Sequence, residues 1–136
     1  MTTLLNVDDY ERAAREQLET SIYDYIAGGS WDEITLQENR TAYDKWRLRP
    51  RAMVNVEHRD LSVSVLGDTL SFPIGIAPSA FHQLMHPNGE LATARAAGTA
   101  GTVMCLSIMS TVSLEEVAAA ASGPLWLQTY IHIQRS

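Results

Sequence analysis

A single cysteine, no long apolar run and no excess of positive charge: these absences bound the chain first. Cys105, alone among 136 residues, excludes an internal disulfide framework and suits a reducing compartment, so a cytoplasmic protein is expected. It lies inside an apolar run and reads as a small core residue. No stretch approaches the roughly 20 apolar residues of a membrane span. The opening MTTLLNVDDYER has no basic start followed by an apolar core, so no secretory signal is expected. Ten Lys and Arg against sixteen Asp and Glu give a net charge of −6 and a pI near 5.1, which argues against nucleic acid or an anionic membrane as partner. The local exception is Arg47, Arg49 and Arg51 in RLRPR, and three charges make a poor phosphate footprint, so a solvated stretch with paired arginines is expected. Internal repeats, low-complexity tracts and flexible linkers are also missing. What is present is globular in texture, 46% hydrophobic and 19% charged, at a length that suits one ordinary domain.

Apolar residues at spacings of three and four from Val7 to Ile26 predict a helix with one buried stripe, ended by Gly28 and Gly29. Ser30 followed by Glu33 has the form of a capping box, predicting a second helix from Trp31 to about Trp46, which Pro50 keeps from continuing. Alternation over Leu61 to Val65, a turn at Gly67 and Asp68, and an extended pattern over Thr69 to Phe72 predict a β-hairpin. From Pro73 the texture becomes short apolar strand, loop, alanine-rich helix and strand again. The runs Phe72 to Ala77, Thr102 to Leu106 and Leu125 to Tyr130 alternate with helices over Gly89 to Ala100 and, behind the capping box Ser113 and Glu116, up to about Ala121. This is βαβαβ, with parallel strands and right-handed crossovers. The fold class is therefore α/β.

Each apolar run ends in small or polar residues: Pro78, Ser79 and Ala80 after the first, Ser107 after the second, Gln128 and Tyr130 closing the third. Ligands of barrels and open α/β sheets sit at the carboxyl ends of strands, so these are the candidate site residues.

IYDYIAGGSWDEITLQENRTAYDKWRLRPRAM, FPIGIAPSAFHQLMHPNGELATARAAGTAGT, LSIMSTVSLEEVA and WLQTYIHIQR, taken in order, resemble the amino-terminal region of the FMN-dependent α-hydroxy acid oxidases and dehydrogenases, the family of glycolate oxidase, lactate oxidase and mandelate dehydrogenase. The resemblance runs from about Val7 to Arg135. It implies the amino-terminal part of a (β/α)₈ TIM barrel, about three βα units preceded by two helices and a β-hairpin, with residues 1–72 as a cap and 73–136 as the first barrel strands. It also implies FMN as cofactor and oxidation of a small 2-hydroxy acid to a 2-oxo acid.

By resemblance, Pro78, Ser79 and Ala80 meet the flavin through their backbone, where a flat ring approaches the main chain closely. Ser107 and Gln128 resemble the family's hydrogen-bond partners of the isoalloxazine edge, contacts that tune flavin electronics. Tyr130 resembles the tyrosine that bonds the substrate oxygen at the α-carbon, a catalytic role, and Tyr25 the one that helps hold the substrate carboxylate. From its helix position alone, Tyr25 reads as a packed core tyrosine. Met109 departs from the pattern, lying where glycolate oxidases tend to carry tryptophan and other members a small residue, so lactate-like, glycolate-like and aryl-substituted acids all stay open. His82 and His86 have zinc-helix spacing, but Gln83 stands where H-E-x-x-H has glutamate, Pro87 follows at once, and no third ligand is evident. No metal is expected.

The family's catalytic histidine, a substrate-binding arginine and a lysine that stabilises the reduced flavin are not found up to Ser136. The isolated chain is therefore expected to be inactive, and to need a carboxyl-terminal complement or to form a homo-oligomer. The electron acceptor stays open. Two further readings do too: a fragment acting only through association, and a different FMN-dependent barrel enzyme.

Overall fold

The computed structural model describes residues 3–131, and the last part of the WLQTYIHIQR motif lies outside them. The chain divides into two units, residues 1–56 and 57–136.

The first unit carries α1 (Val7–Gln17), α2 (Thr20–Ala27) and α3 (Ile34–Thr41), continued by a 3₁₀ turn over Ala42–Lys45. Where one helix was expected from Val7 to Ala27 there are two, because Leu18 takes an extended conformation. Spacing reads one stripe straight through such a break; Thr20 and Ser21, whose hydroxyls compete for backbone bonds, mark the restart. The second expected helix is also shorter. Ser30 does not cap it: the Glu33 carboxylate accepts from Gly29 N at 2.9 Å, the Glu33 N–H donates to Ser30 O at 3.0 Å, and Glu33 itself is left-handed at φ 56°. The helix therefore starts at Ile34 and ends in a 3₁₀ turn before Trp46, four residues short of Pro50. Arg47 in the arginine-rich stretch turns back on the chain, donating to Trp46 O at 2.9 Å. No residue of α1, α2 or α3 is fully buried.

In the second unit, β1 (Val63–Val65) pairs antiparallel with β2 (Asp68–Leu70). Their turn is Leu66–Gly67, one residue earlier than the sequence suggests, with φ of +52° and +92°. Positive φ at both central residues matches the right-handed twist of a hairpin, and Leu66 is a costly residue for that place. The Trp126 indole donates to Asp68 Oδ2 at 2.9 Å, tying the hairpin to the last strand.

The parallel part is built around β3 (Met104–Ser107). On one side it pairs with β4 (Leu125–Gln128), Met104 opposite Leu125 and Ser107 opposite Gln128. On the other it meets only Ile76, whose N–H donates to Val103 O and whose carbonyl accepts from Cys105 N, both at 2.9 Å. The run from Phe72 to Ala77 is thus a single parallel bridge rather than a strand. Pro73 lacks an N–H, and only Ile76 meets the ladder.

Between these come α4 (Gly89–Ala100), ended by left-handed Gly101, and α5 (Leu114–Ala120), opened by the Ser113–Glu116 capping box. Ala94 and Ala97 of α4, Met104 and Leu106 of β3, Val112 and Val117 form the core, with Leu106 at 1% and Val117 at 0% exposure. Small side chains let α4 lie close to the turn before β4: a Cβ on Gly98 would sit 2.9 Å from Gly123 N. Cys105 is only half-buried, since β3 turns Met104 and Leu106 to the core and its neighbour the other way.

Candidate functional site

The register of β3 on β4 places Ser107 directly opposite Gln128, at the carboxyl ends of both strands. Ser107 is buried and its hydroxyl oxygen accepts from Met109 N at 3.1 Å. The Gln128 side-chain oxygen accepts from Ile108 N at 3.4 Å. Each side chain thus turns an acceptor towards the loop after β3, which leaves the Ser107 hydroxyl hydrogen and the Gln128 amide N–H groups as donors. Two adjacent donors at a strand end suit the polar edge of a flat heteroaromatic ring.

The third group follows the Ile76 bridge. Pro78 and Ser79 are exposed and Ala80 is half-exposed; the Ser79 hydroxyl points back to Ala77 O at 3.5 Å. The three residues are small, which suits the close approach of a planar group to the main chain. Tyr130, two residues beyond β4, is 61% exposed. Tyr25, near the end of α2 in the first unit, is 58% exposed, so it is not the packed core tyrosine its helix position suggested. Met109 is exposed beside Ser107.

His82 and His86 hold local bonds, the first with Thr93 Oγ1 at 3.1 Å and the second accepting from Asn88 N at 3.2 Å through Nδ1. Among the described residues no three His, Cys, Asp or Glu gather as a metal site. No helix among them is long and apolar enough to cross a membrane. An open hollow of about 350 Å³ is lined by Ser107 together with Val112, Ser113, Leu114 and Leu127.

Sequence reasoning missed Glu90. This side chain, in the first turn of α4, is completely buried. Its Oε1 accepts from Thr111 N at 2.8 Å and His82 N at 3.2 Å, and its Oε2 accepts from the Thr111 hydroxyl at 2.7 Å. Burial alone pushes its pKa up, but the Thr111 and His82 bonds outweigh that and hold it below the usual carboxylate range. A signal was available: Glu90, Ala94 and Ala97 are spaced by four and three, one stripe of α4, and both alanines are core residues.

From residue 14 to residue 136 the sequence matches the FMN-dependent dehydrogenase family. The chain belongs to that family. Glycolate oxidase 3 of Oryza sativa subsp. indica is 47% identical over 136 residues, which is all of this chain and 37% of that protein. Peroxisomal (S)-2-hydroxyacid oxidase GLO4 of Arabidopsis thaliana is 43% identical over 135 residues, 99% of this chain and 37% of that one. Among solved structures, a soluble mutant of the membrane-associated (S)-mandelate dehydrogenase from Pseudomonas putida superposes with a TM-score of 0.88 at 40% identity, covering 95% of this chain and 37% of that one. Mandelate oxidase with (S)-4-hydroxymandelic acid gives a TM-score of 0.87 at 40% identity, over 93% of this chain and 36% of the other. The chain thus spans a little over a third of the length of these relatives, and its structural neighbours are TIM-barrel proteins that it matches over a partial segment.

Proposed function

We propose that this chain supplies one side of the flavin and substrate site of an FMN-dependent enzyme that oxidises a small 2-hydroxy acid to a 2-oxo acid. The observation that carries the reading is the Ser107–Gln128 pair, two donors in register at the carboxyl ends of parallel strands, in a chain of the FMN-dependent dehydrogenase family. On this reading residues 1–72 are the cap, its hairpin bonded to β4 through Asp68 and Trp126, and residues 73–136 supply the first barrel strands, about three βα units. FMN, when bound, supplies the two-electron acceptor. The backbone from Pro78 to Ala80 gives the ring a surface to lie on. Ser107 and Gln128 donate to its polar edge, favouring negative charge there. Tyr130 hydrogen-bonds the substrate oxygen at the α-carbon through its phenolic O–H, helping to position the acid, and the family resemblance assigns Tyr25 to the substrate carboxylate. Met109 faces the substrate's side group.

The base that takes the substrate proton, and the anchor for the cofactor's phosphate, come from strands outside these 136 residues. A carboxyl-terminal complement or further copies of the chain are the proposed partners, and a reducing cytoplasm is the proposed location, on the strength of the lone Cys105. A fluorescent fusion of the chain checks the location, peroxisomal signal being the contrary result. For the activity, anaerobic flavin bleaching with glycolate, lactate and mandelate is the test. The chain joined to the carboxyl-terminal two-thirds of a glycolate oxidase bleaches, and the chain alone does not, since a positioned base contributes a factor of about 10² to 10⁴. Bleaching by the chain alone would refute the division of labour, and none by the joined protein would refute the activity.

A further inference from the structure

We infer that Glu90 is a positioning residue that locks the loop after the Ile76 bridge to the loop after β3, and so sets the spacing of the Ser79–Ala80 and Ser107 edges of the flavin site; this rests on the function proposed above. Three observations converge on it. The Glu90 carboxylate bridges both loops, accepting from His82 in one and doubly from Thr111 in the other. The same loops are stitched on either side of it, Phe81 N donating to Met109 O at 3.2 Å and Gln83 N to Thr111 Oγ1 at 3.2 Å. And Phe81, the residue after Ala80, is held left-handed at φ 58°, a conformation a bulky side chain keeps only where its surroundings impose it.

The local packing fits one clamp. Gly89, at φ 44°, has no room for a side chain, because a Cβ there would sit 2.6 Å from Gln83 Cγ; the loop therefore crosses directly over the start of α4, bringing His82 N within reach of Glu90. A buried carboxylate with all these donors is expensive to disrupt from either side. Removing it loosens the two loops, and a ring clasped between them loses its spacing.

The test is residue-resolved hydrogen–deuterium exchange, without flavin, on the chain joined to the carboxyl-terminal two-thirds of a glycolate oxidase, paired with FMN affinity of the same protein from flavin fluorescence quenching. Glu90→Ala is expected to raise exchange at His82 and Thr111 while β3 and α4 stay protected, and to weaken FMN by about tenfold. Glu90→Gln keeps an oxygen for the two N–H groups and turns its amide N–H to the Thr111 oxygen, so affinity should return to within about threefold of the parent. Thr111→Val, which leaves the buried carboxylate and its helix in place, should weaken FMN in the same direction even if Glu90→Ala fails to fold. Uniformly faster exchange, or parent-like FMN affinity in Thr111→Val and a folded Glu90→Ala, would overturn the inference. Absence of FMN binding by the parent joined protein is a different result: it removes the flavin function itself, and the positioning role with it.

Discussion

Glu90 shows at residue scale how a charge is kept in a core. Its carboxylate is completely buried, yet the bonds from Thr111 and His82 keep its pKa below that of an ordinary glutamate. The His82 ring takes no part, being bonded to Thr93. A folded-state pKa below the unfolded one contributes stability that is present above the unfolded value, about 4.3, and is lost as pH falls through the folded value. Denaturant midpoints measured from pH 7 down to acid should therefore fall less steeply for Glu90→Gln than for the parent chain; an equally steep or steeper fall would assign the acid limb to other carboxylates. Ser107 and Gln128 were legible as strand-end polar residues, whereas their pairing was not, because register is decided by the ladder and appears in neither strand's own sequence. Tyr25 shows the opposite failure. Its place in an apolar stripe suggested burial, and no residue of α2 is buried.

At the scale of elements, local chemistry that acts within one turn was readable: Gly101 ends α4 and the Ser113–Glu116 box opens α5. What failed depended on competition. The Ser30–Glu33 pair has the same sequence form, but Glu33 binds Gly29 N instead, and the run after Phe72 has strand composition with only Ile76 on the ladder. The approach of α4 to the turn before β4 rests on Gly98, where an added Cβ would meet Gly123 N at 2.9 Å. Gly98→Ala should destabilise the chain by about 1–3 kcal/mol through overpacking, although alanine favours helix by itself. Urea titration checks the sign, and a stabilised variant would mean the turn yields without cost.

Across the whole molecule the sheet has more edge than core. Among the described residues no strand pairs with the outer side of β4, and Ile74, Ile76 and Leu127 are 65%, 38% and 45% exposed. Neither edge run, PIGIAP or PLWLQTY, carries a charge. Open uncharged edges and exposed apolar surface of this kind pair with other chains. Sedimentation at micromolar concentration should show oligomers or aggregates, or a soluble species only with a fragment bearing the remaining strands. A stable monomer with cooperative unfolding would mean that the chain closes its own core. The class of the fold, α/β with parallel strands and crossover helices, was legible from alternating texture alone. That the sheet is a partial one came from the family resemblance and from coverage of 37% of a relative.

On the proposed reading, the strand ends after Ile76, β3 and β4 form one face of a flavin site. It is tested most directly by hydrogen–deuterium exchange of the chain with and without FMN in large excess, which reads a weak site residue by residue. The expected result is slower exchange together at Ser79, Ala80, Met109 and the Gln128 side of β4, with α1, α2 and α3 unchanged. Slower exchange elsewhere in the chain, or none at any concentration of FMN, would contradict the account.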